Sequence, residues 1–181
     1  GKSSAGAVEV GDNYAVPKAS TATAAPTEVF DTKGRKRDNI PFGIRNNNPG
    51  NIDYHASNPW QGLDKDKPTD GRFCRFISPE YGIRAMARVL KNYTKRDDLP
   101  GVGGPGIDTV REVINRWAPP SENVTSAYIA QVAKALGVMP DTPINIADRA
   151  VMLLLVESII RHENGLQPYS AELLLLGIDM A

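Results

Sequence analysis

From Tyr81 onward the apolar residues recur at helical spacing. Tyr81, Ala85, Met86, Val89, Leu90 and Tyr93 share one face, which predicts an amphipathic helix. Ser78-Pro79-Glu80 opens it: Ser78 can cap, Pro79 suits the first turn, and Glu80 complements the helix dipole. A second helix starts at Thr109 with a Thr-x-x-Glu capping box to Glu112. Val110, Val113, Ile114 and Trp117 form its inner face, and Pro119-Pro120 stops it. A third runs from about Thr125 to Leu136, with Tyr128, Ile129, Val132, Ala133 and Leu136 inward and Gly137 as its stop. The fourth, from about Ala147 to Glu163, is apolar nearly all round and is predicted to be the buried central helix. Asn164-Gly165 ends it with residues that tolerate left-handed geometry. A short helix follows at Ala171 to Leu176. Two segments before the first helix, Asn51–Tyr54 and Arg72–Ile77, are placed to pair as a small β hairpin.

Residues 1–40 show neither period. They are rich in Ala, Ser, Thr and Gly, as in Ala19-Ser20-Thr21-Ala22-Thr23-Ala24, and cannot bury enough apolar surface to offset the entropy of ordering a backbone. The prediction is therefore a helical domain over 41–181 preceded by an extended low-complexity arm, with Gly101 to Gly106 as a loop inside the domain. Such an arm is expected to lie along a neighbouring subunit of an assembly. Its basic cluster, Lys33 to Arg37, reads best as a solvated linker.

Composition narrows the function more by exclusion than by assertion. Lys and Arg number 21 and Asp and Glu number 21, so no net charge draws the chain to nucleic acid or an anionic membrane. No apolar run is long enough to span a bilayer, and the N-terminus carries no visible signal peptide. Cys74 is the single cysteine, which excludes an intrachain disulfide and a cysteine-based metal site and suggests synthesis in a reducing compartment. His55 and His162 are too few for zinc unless carboxylates complete the set. No cofactor is implied. Asn123-Val124-Thr125 matches a glycosylation sequon, which means little without a secretion signal.

Two places carry candidate chemistry. Asn46, Asn47, Asn48 and Asn51 surround the turn Pro49-Gly50. Asparagine side chains stabilise such turns, and they are also the amides that read sugar hydroxyls and N-acetyl groups. Trp60 and Gln61 follow, the indole a natural stacking platform for a sugar. The other place is the end of the fourth predicted helix. Glu163 lies in its last turn, where the helix dipole disfavours a negative charge, so its carboxyl is expected to stay protonated as a glycosidase acid must. Glu80, at a helix N-terminus, suits a base or nucleophile, although capping is the stronger explanation for it. Glu157 is expected to pair with Arg161.

These residues also carry a resemblance. Arg45-Asn46-Asn47-Asn48-Pro49-Gly50-Asn51-Ile52, Trp60-Gln61-Gly62, Phe73-Cys74-Arg75-Phe76, Ser78-Pro79-Glu80-Tyr81-Gly82-Ile83, Trp117-Ala118-Pro119-Pro120-Ser121-Glu122-Asn123 and Arg161-His162-Glu163-Asn164-Gly165 form a set that resembles tailed-phage and prophage virion proteins, some of them lysozyme-like. The resemblance covers 43 to about 179. Phage lysozymes often end their first helix with a catalytic Glu followed by Gly and then Tyr. Glu163, Gly165 and Tyr169 are similar to that pattern, with Asn164 inserted and the β region before the Glu instead of after it. The resemblance implies a compact, mainly α, lysozyme-like domain in a tail- or baseplate-associated protein that cleaves peptidoglycan during DNA delivery. It implies Glu163 as acid, Glu80 as second carboxylate, and Asn46, Asn47, Asn48, Asn51, Trp60, Gln61 and Tyr169 as glycan contacts. Other virion subunits would be bound through residues 1–40. The alternatives are a structural virion protein of the same fold and a glycan-binding module.

Overall fold

The computed structural model describes residues 39–96, 106–118 and 125–181. The basic cluster at Lys33–Arg37, most of the arm and of the glycine loop, the Pro119-Pro120 stop and the Asn123 sequon lie outside these residues. The described part is mainly helical: α1 (Phe42–Arg45), α2 (Pro79–Tyr93), α3 (Val110–Trp117), α4 (Thr125–Leu136), α5 (Arg149–Asn164) and α6 (Ala171–Asp179). None of these helices is long and apolar enough to cross a membrane.

Local chemistry places most of the boundaries. At α3 the Thr109 hydroxyl accepts from the Glu112 amide at 3.1 Å, and the Glu112 carboxylate accepts in return from the Asp108 amide at 3.1 Å. The cap of α5 is Asp148, which accepts from the amides of Ala150 and Val151, so the helix starts two residues later than its apolar pattern suggests. Gly165, with φ of 75°, closes α5 in the left-handed conformation. Ser170 caps α6, which extends three residues past its predicted end at Leu176. Ser78, in contrast, makes no capping bond to α2; its hydroxyl turns to the Glu80 carboxylate instead.

The buried helix is α2, not α5. Twelve of its residues are buried, among them Ile83, Ala85, Met86, Ala87, Val89 and Leu90 at 0% exposure. Each large apolar side chain so buried contributes about 1.5–3 kcal/mol. The polar residues of α2 that meet protein do so with partners, buried Arg84 and half-buried Lys91 among them. Arg84 donates through Nε to the Met180 carbonyl at 3.2 Å, and Lys91 donates to the Ala181 carbonyl at 3.0 Å, fastening α2 to the chain end beyond α6. Between them Gly177 lets α6 approach closely: a Cβ there would stand 2.6 Å from Ile83. In α5, Leu154 keeps 37% of its surface exposed. An apolar run reveals what a helix could bury but not which faces its neighbours cover.

The predicted hairpin is reduced to scattered pairing. Asp53–Phe73, Thr69–Cys74 and Leu63–Phe76 form isolated antiparallel bridges, and no strand forms among the described residues. The segments do meet as expected, the Tyr54 amide bonding the Arg72 carbonyl at 2.8 Å and the Cys74 amide the Ile52 carbonyl at 2.9 Å. Asparagine side chains add to this pairing, Asn48 bonding the Ile52 and Cys74 carbonyls and Asn47 the Phe76 carbonyl. This layer packs on the start of α2, where a Cβ on Gly82 would lie 1.9 Å from the Asn47 carbonyl oxygen. Helix propensity alone favours Ala over Gly by about 1 kcal/mol. We nevertheless expect Gly82→Ala to destabilise the domain by about 3 kcal/mol, since backbone must move; urea unfolding of the two proteins measures it.

Candidate functional site

The turn at 46–51 is built by its own amides. Asn47 and Asn51 both have φ of 52°, a left-handed conformation that asparagine accepts more readily than most residues. Asn48 is completely buried, its Nδ2 donating to the carbonyls of Ile52 and Cys74 at 3.0 Å each while its Oδ1 accepts from the Ile52 amide at 3.0 Å. Asn47 donates to the Phe76 carbonyl at 3.1 Å and Asn46 to Asp70 at 2.9 Å. Burial pushes the Asp70 carboxyl up; backbone amides of Arg72 and Phe73 and the Asn46 amide outweigh it and hold it below the ordinary carboxylate value. These three asparagines tie the loop to the 70–76 segment, and all three are buried.

Asn51 faces the other way. Its Nδ2 donates to Glu163 Oε1 at 3.3 Å, joining the loop to the end of α5. The next residue adds a second stitch: Asn164 Nδ2 bonds the Pro49 carbonyl at 2.8 Å and the Ile160 carbonyl at 3.0 Å. Asn164 is the residue that separates this chain from the Glu-Gly pattern of phage lysozymes, and here it holds the helix end against the asparagine loop. Gly43 of α1 closes the arrangement. A Cβ at that position would lie 2.5 Å from Asn164 Oδ1 and 2.7 Å from Asn51 Oδ1, so any larger residue would push these two amides aside.

The second oxygen of Glu163 is held by α4. Tyr128 donates its hydroxyl to Oε2 at 3.1 Å. Burial first, and then the negative charge of Glu163, push the Tyr128 hydroxyl well above its ordinary value, so it stays a donor. Its ring stacks on His162, centroids 3.7 Å apart, and His162 Nδ1 pairs with Gln131 Oε1 at 2.6 Å. Glu163 itself is half-buried: its oxygens are oriented from two sides, yet the residue is not sealed. The Tyr128→Phe variant loses a bond to a carboxylate, worth about 1.5–3 kcal/mol. We expect it to fold and to lose about 2 kcal/mol in urea titration.

The structure brings Asn51 and Glu163 together, while several other candidates are taken up by the protein interior. Trp60 is 4% exposed and belongs to the core, so its indole offers no stacking face to a sugar. Gln61 is half-buried. Tyr169 is 7% exposed, and burial alone raises its hydroxyl above the ordinary value. Glu80, in the first turn of α2, is 2% exposed, and its carboxylate accepts from the Ser78 hydroxyl. Glu157 and Arg161 line a groove of about 360 Å³ between α4 and α5, which also meets Gln131 and Leu154 but not Glu163. Among the described residues no cluster of three or more His, Cys, Asp or Glu is placed to hold a metal.

Sequence reasoning missed Tyr128, His162 and Gln131 as parts of this site. Tyr128 was legible only as an inward position of α4; a buried tyrosine needs a partner for its hydroxyl, and that requirement was the available clue. Asn164 was legible as part of a helix stop and as an interruption of the lysozyme pattern, not as a tie to the loop.

No family model matches the chain. It is 31% identical over 161 residues to Protein P5 of Pseudoalteromonas phage PM2, a match spanning 88% of this chain and 91% of that protein. A match of that extent is longer than residues 41–181 and therefore takes in part of the N-terminal 40.

Proposed function

Because the chain belongs to the family of Protein P5 of Pseudoalteromonas phage PM2, a family of phage proteins, we propose that it is a virion component that cleaves the glycan of bacterial peptidoglycan, with Glu163 as its acid. The observation that carries this reading is the pair of donors on Glu163: Asn51 from the asparagine loop and Tyr128 from α4 orient its two oxygens at the half-buried end of a helix. Both oxygens accept from these donors, and each keeps a second lone pair on which a proton can be carried to one glycosidic oxygen; positioning of that kind is what general acid catalysis requires. Asn51 and Tyr128 act as positioning residues for it. The asparagines at 46–48 hold the loop from behind and do not touch the sugar.

Residues 1–40 attach the chain to other virion subunits. The shared sequence with Protein P5 extends into this stretch, which supports treating the arm as a feature of the family. Release of the protein from disrupted particles, with assignment to a tail, baseplate or capsid fraction, locates it; recovery only from the host lysate, outside particles, overturns virion attachment.

A non-catalytic structural protein of the same fold is the second reading, favoured by one specific observation. Most of the motif's polar side chains, Asn46, Asn47, Asn48 and Asn164, are engaged with the protein itself. The test between the two is muralytic activity of the full chain on purified peptidoglycan of several wall types. Release of soluble glycan fragments supports the hydrolase; intact walls across pH 4–9 leave the structural role.

A further inference from the structure

An exposed aromatic ring stands beside this site, on an element that periodicity did not reveal. Phe42 opens α1 and keeps 46% of its surface exposed, the more conspicuous because Trp60, the expected platform, is in the core. One face of Phe42 lies on Phe73, with centroids 5.4 Å apart and planes 13° from parallel. Phe73 is buried, with the Arg72 guanidinium 4.7 Å from its ring centroid and Arg72 Nε paired with Asp53 at 3.2 Å. The outer ring is therefore backed by a fixed stack instead of hanging free, which lowers the entropy lost when a ligand lands on it.

Its position relative to Glu163 follows from the chain. The neighbouring Gly43 is the residue against which Asn51 and Asn164 close, and Asn51 bonds Glu163. Those steps put the Phe42 Cα at most about 14 Å from the Glu163 carboxylate, a span of a few sugar rings along one glycan strand. Polar residues follow it in the chain: exposed Arg45 on α1, then Asn46, which bonds Asp70. A flat apolar face suits the face of a pyranose, whose C–H bonds point one way and whose hydroxyls lie at its edge.

We propose that Phe42 is the aromatic platform of a glycan subsite, stacking on an amino-sugar ring of the strand whose bond lies at Glu163. This rests on the glycan-cleaving reading and adds to it a ligand contact away from the reacting atoms. The ring contributes affinity and register; it takes no part in bond cleavage.

The test uses the full chain and two readouts, co-sedimentation with insoluble purified peptidoglycan and release of soluble fragments. Phe42→Ala is expected to weaken binding and raise KM by about tenfold with kcat nearly unchanged. Phe42→Leu, which keeps Phe73 covered, should lose binding to a similar extent, and Phe42→Trp should restore it. Thermal unfolding of each variant separates lost contact from lost fold. Wild-type binding by the Leu variant, with Glu163→Gln still blocking cleavage, would overturn the platform and leave the acid in place. A wild-type chain that neither binds nor cleaves peptidoglycan would overturn both.

Discussion

Replacing Glu163 by Gln is expected to lower peptidoglycan cleavage by about a hundredfold to ten-thousandfold, the range that a positioned general acid contributes, while the protein remains folded. The structure explains why the fold should survive. Gln keeps the length and branching of Glu, and its amide oxygen can still accept from the Tyr128 hydroxyl that now reaches Oε2 at 3.1 Å. The Gln nitrogen would then meet Asn51 Nδ2, donor against donor. A half-turn of the Asn51 amide resolves that conflict, because Asn51 Oδ1 is buried with no hydrogen bond of its own and can accept from the new amide. The expected result is a melting temperature close to wild type beside a collapsed turnover rate. The informative contrary result is a Gln variant that cleaves normally, which would remove Glu163 from the chemistry and direct attention to another carboxylate.

Asn48→Ala should produce the largest loss of stability of any single change in the loop. Asn48 is fully buried and makes three hydrogen bonds, all to backbone: two donated to the Ile52 and Cys74 carbonyls and one accepted from the Ile52 amide. Alanine removes the partners but leaves those backbone groups buried. The Ile52 carbonyl keeps the Cys74 amide, so two groups lose their partner at about 1–3 kcal/mol each, and an overall loss of about 2–6 kcal/mol is expected unless water enters the gap. That is a large fraction of the stability of a domain this size. Denaturant unfolding measures the effect. Under the proposed function, activity should fall with the folded fraction, because Asn51 reaches Glu163 only if the loop holds its shape. A variant as stable as wild type would mean that the 48–52 turn is held by its backbone conformation alone.

The helices were legible because their signals are local. The faces of α2, α3 and most of α4 follow from spacing, and the inward residues named from that spacing are buried, apart from half-buried Leu136. Caps at Thr109 and the glycine stops at Gly137 and Gly165 are decided within a few residues of sequence, as their positive φ or side-chain bonds attest. Ser78 shows where this fails: its capping bond was the local default, and a buried carboxylate two residues away took the hydroxyl instead.

Rank in the core was not legible. The apolar run of α5 exceeds that of α2, yet α2 is the helix surrounded by protein, because Arg84 and Lys91 can be satisfied by carbonyls from the chain end almost a hundred residues later. Trp60 shows the same limit: a tryptophan can serve as platform or as core, and its neighbours place it in the core.

The sequence by itself determined that the chain carries a helical domain with an asparagine turn ahead of it and a glutamate at the end of its longest helix, since period, capping and turn chemistry act over a handful of residues. Only the tertiary structure decided that Asn51 should meet Glu163 across 112 positions, that Tyr128 should hold the other oxygen, and that Phe42 instead of Trp60 should face solvent. Those contacts depend on how close Gly43, Gly82 and Gly177 allow separate elements to come, a property of packed surfaces that no local pattern encodes.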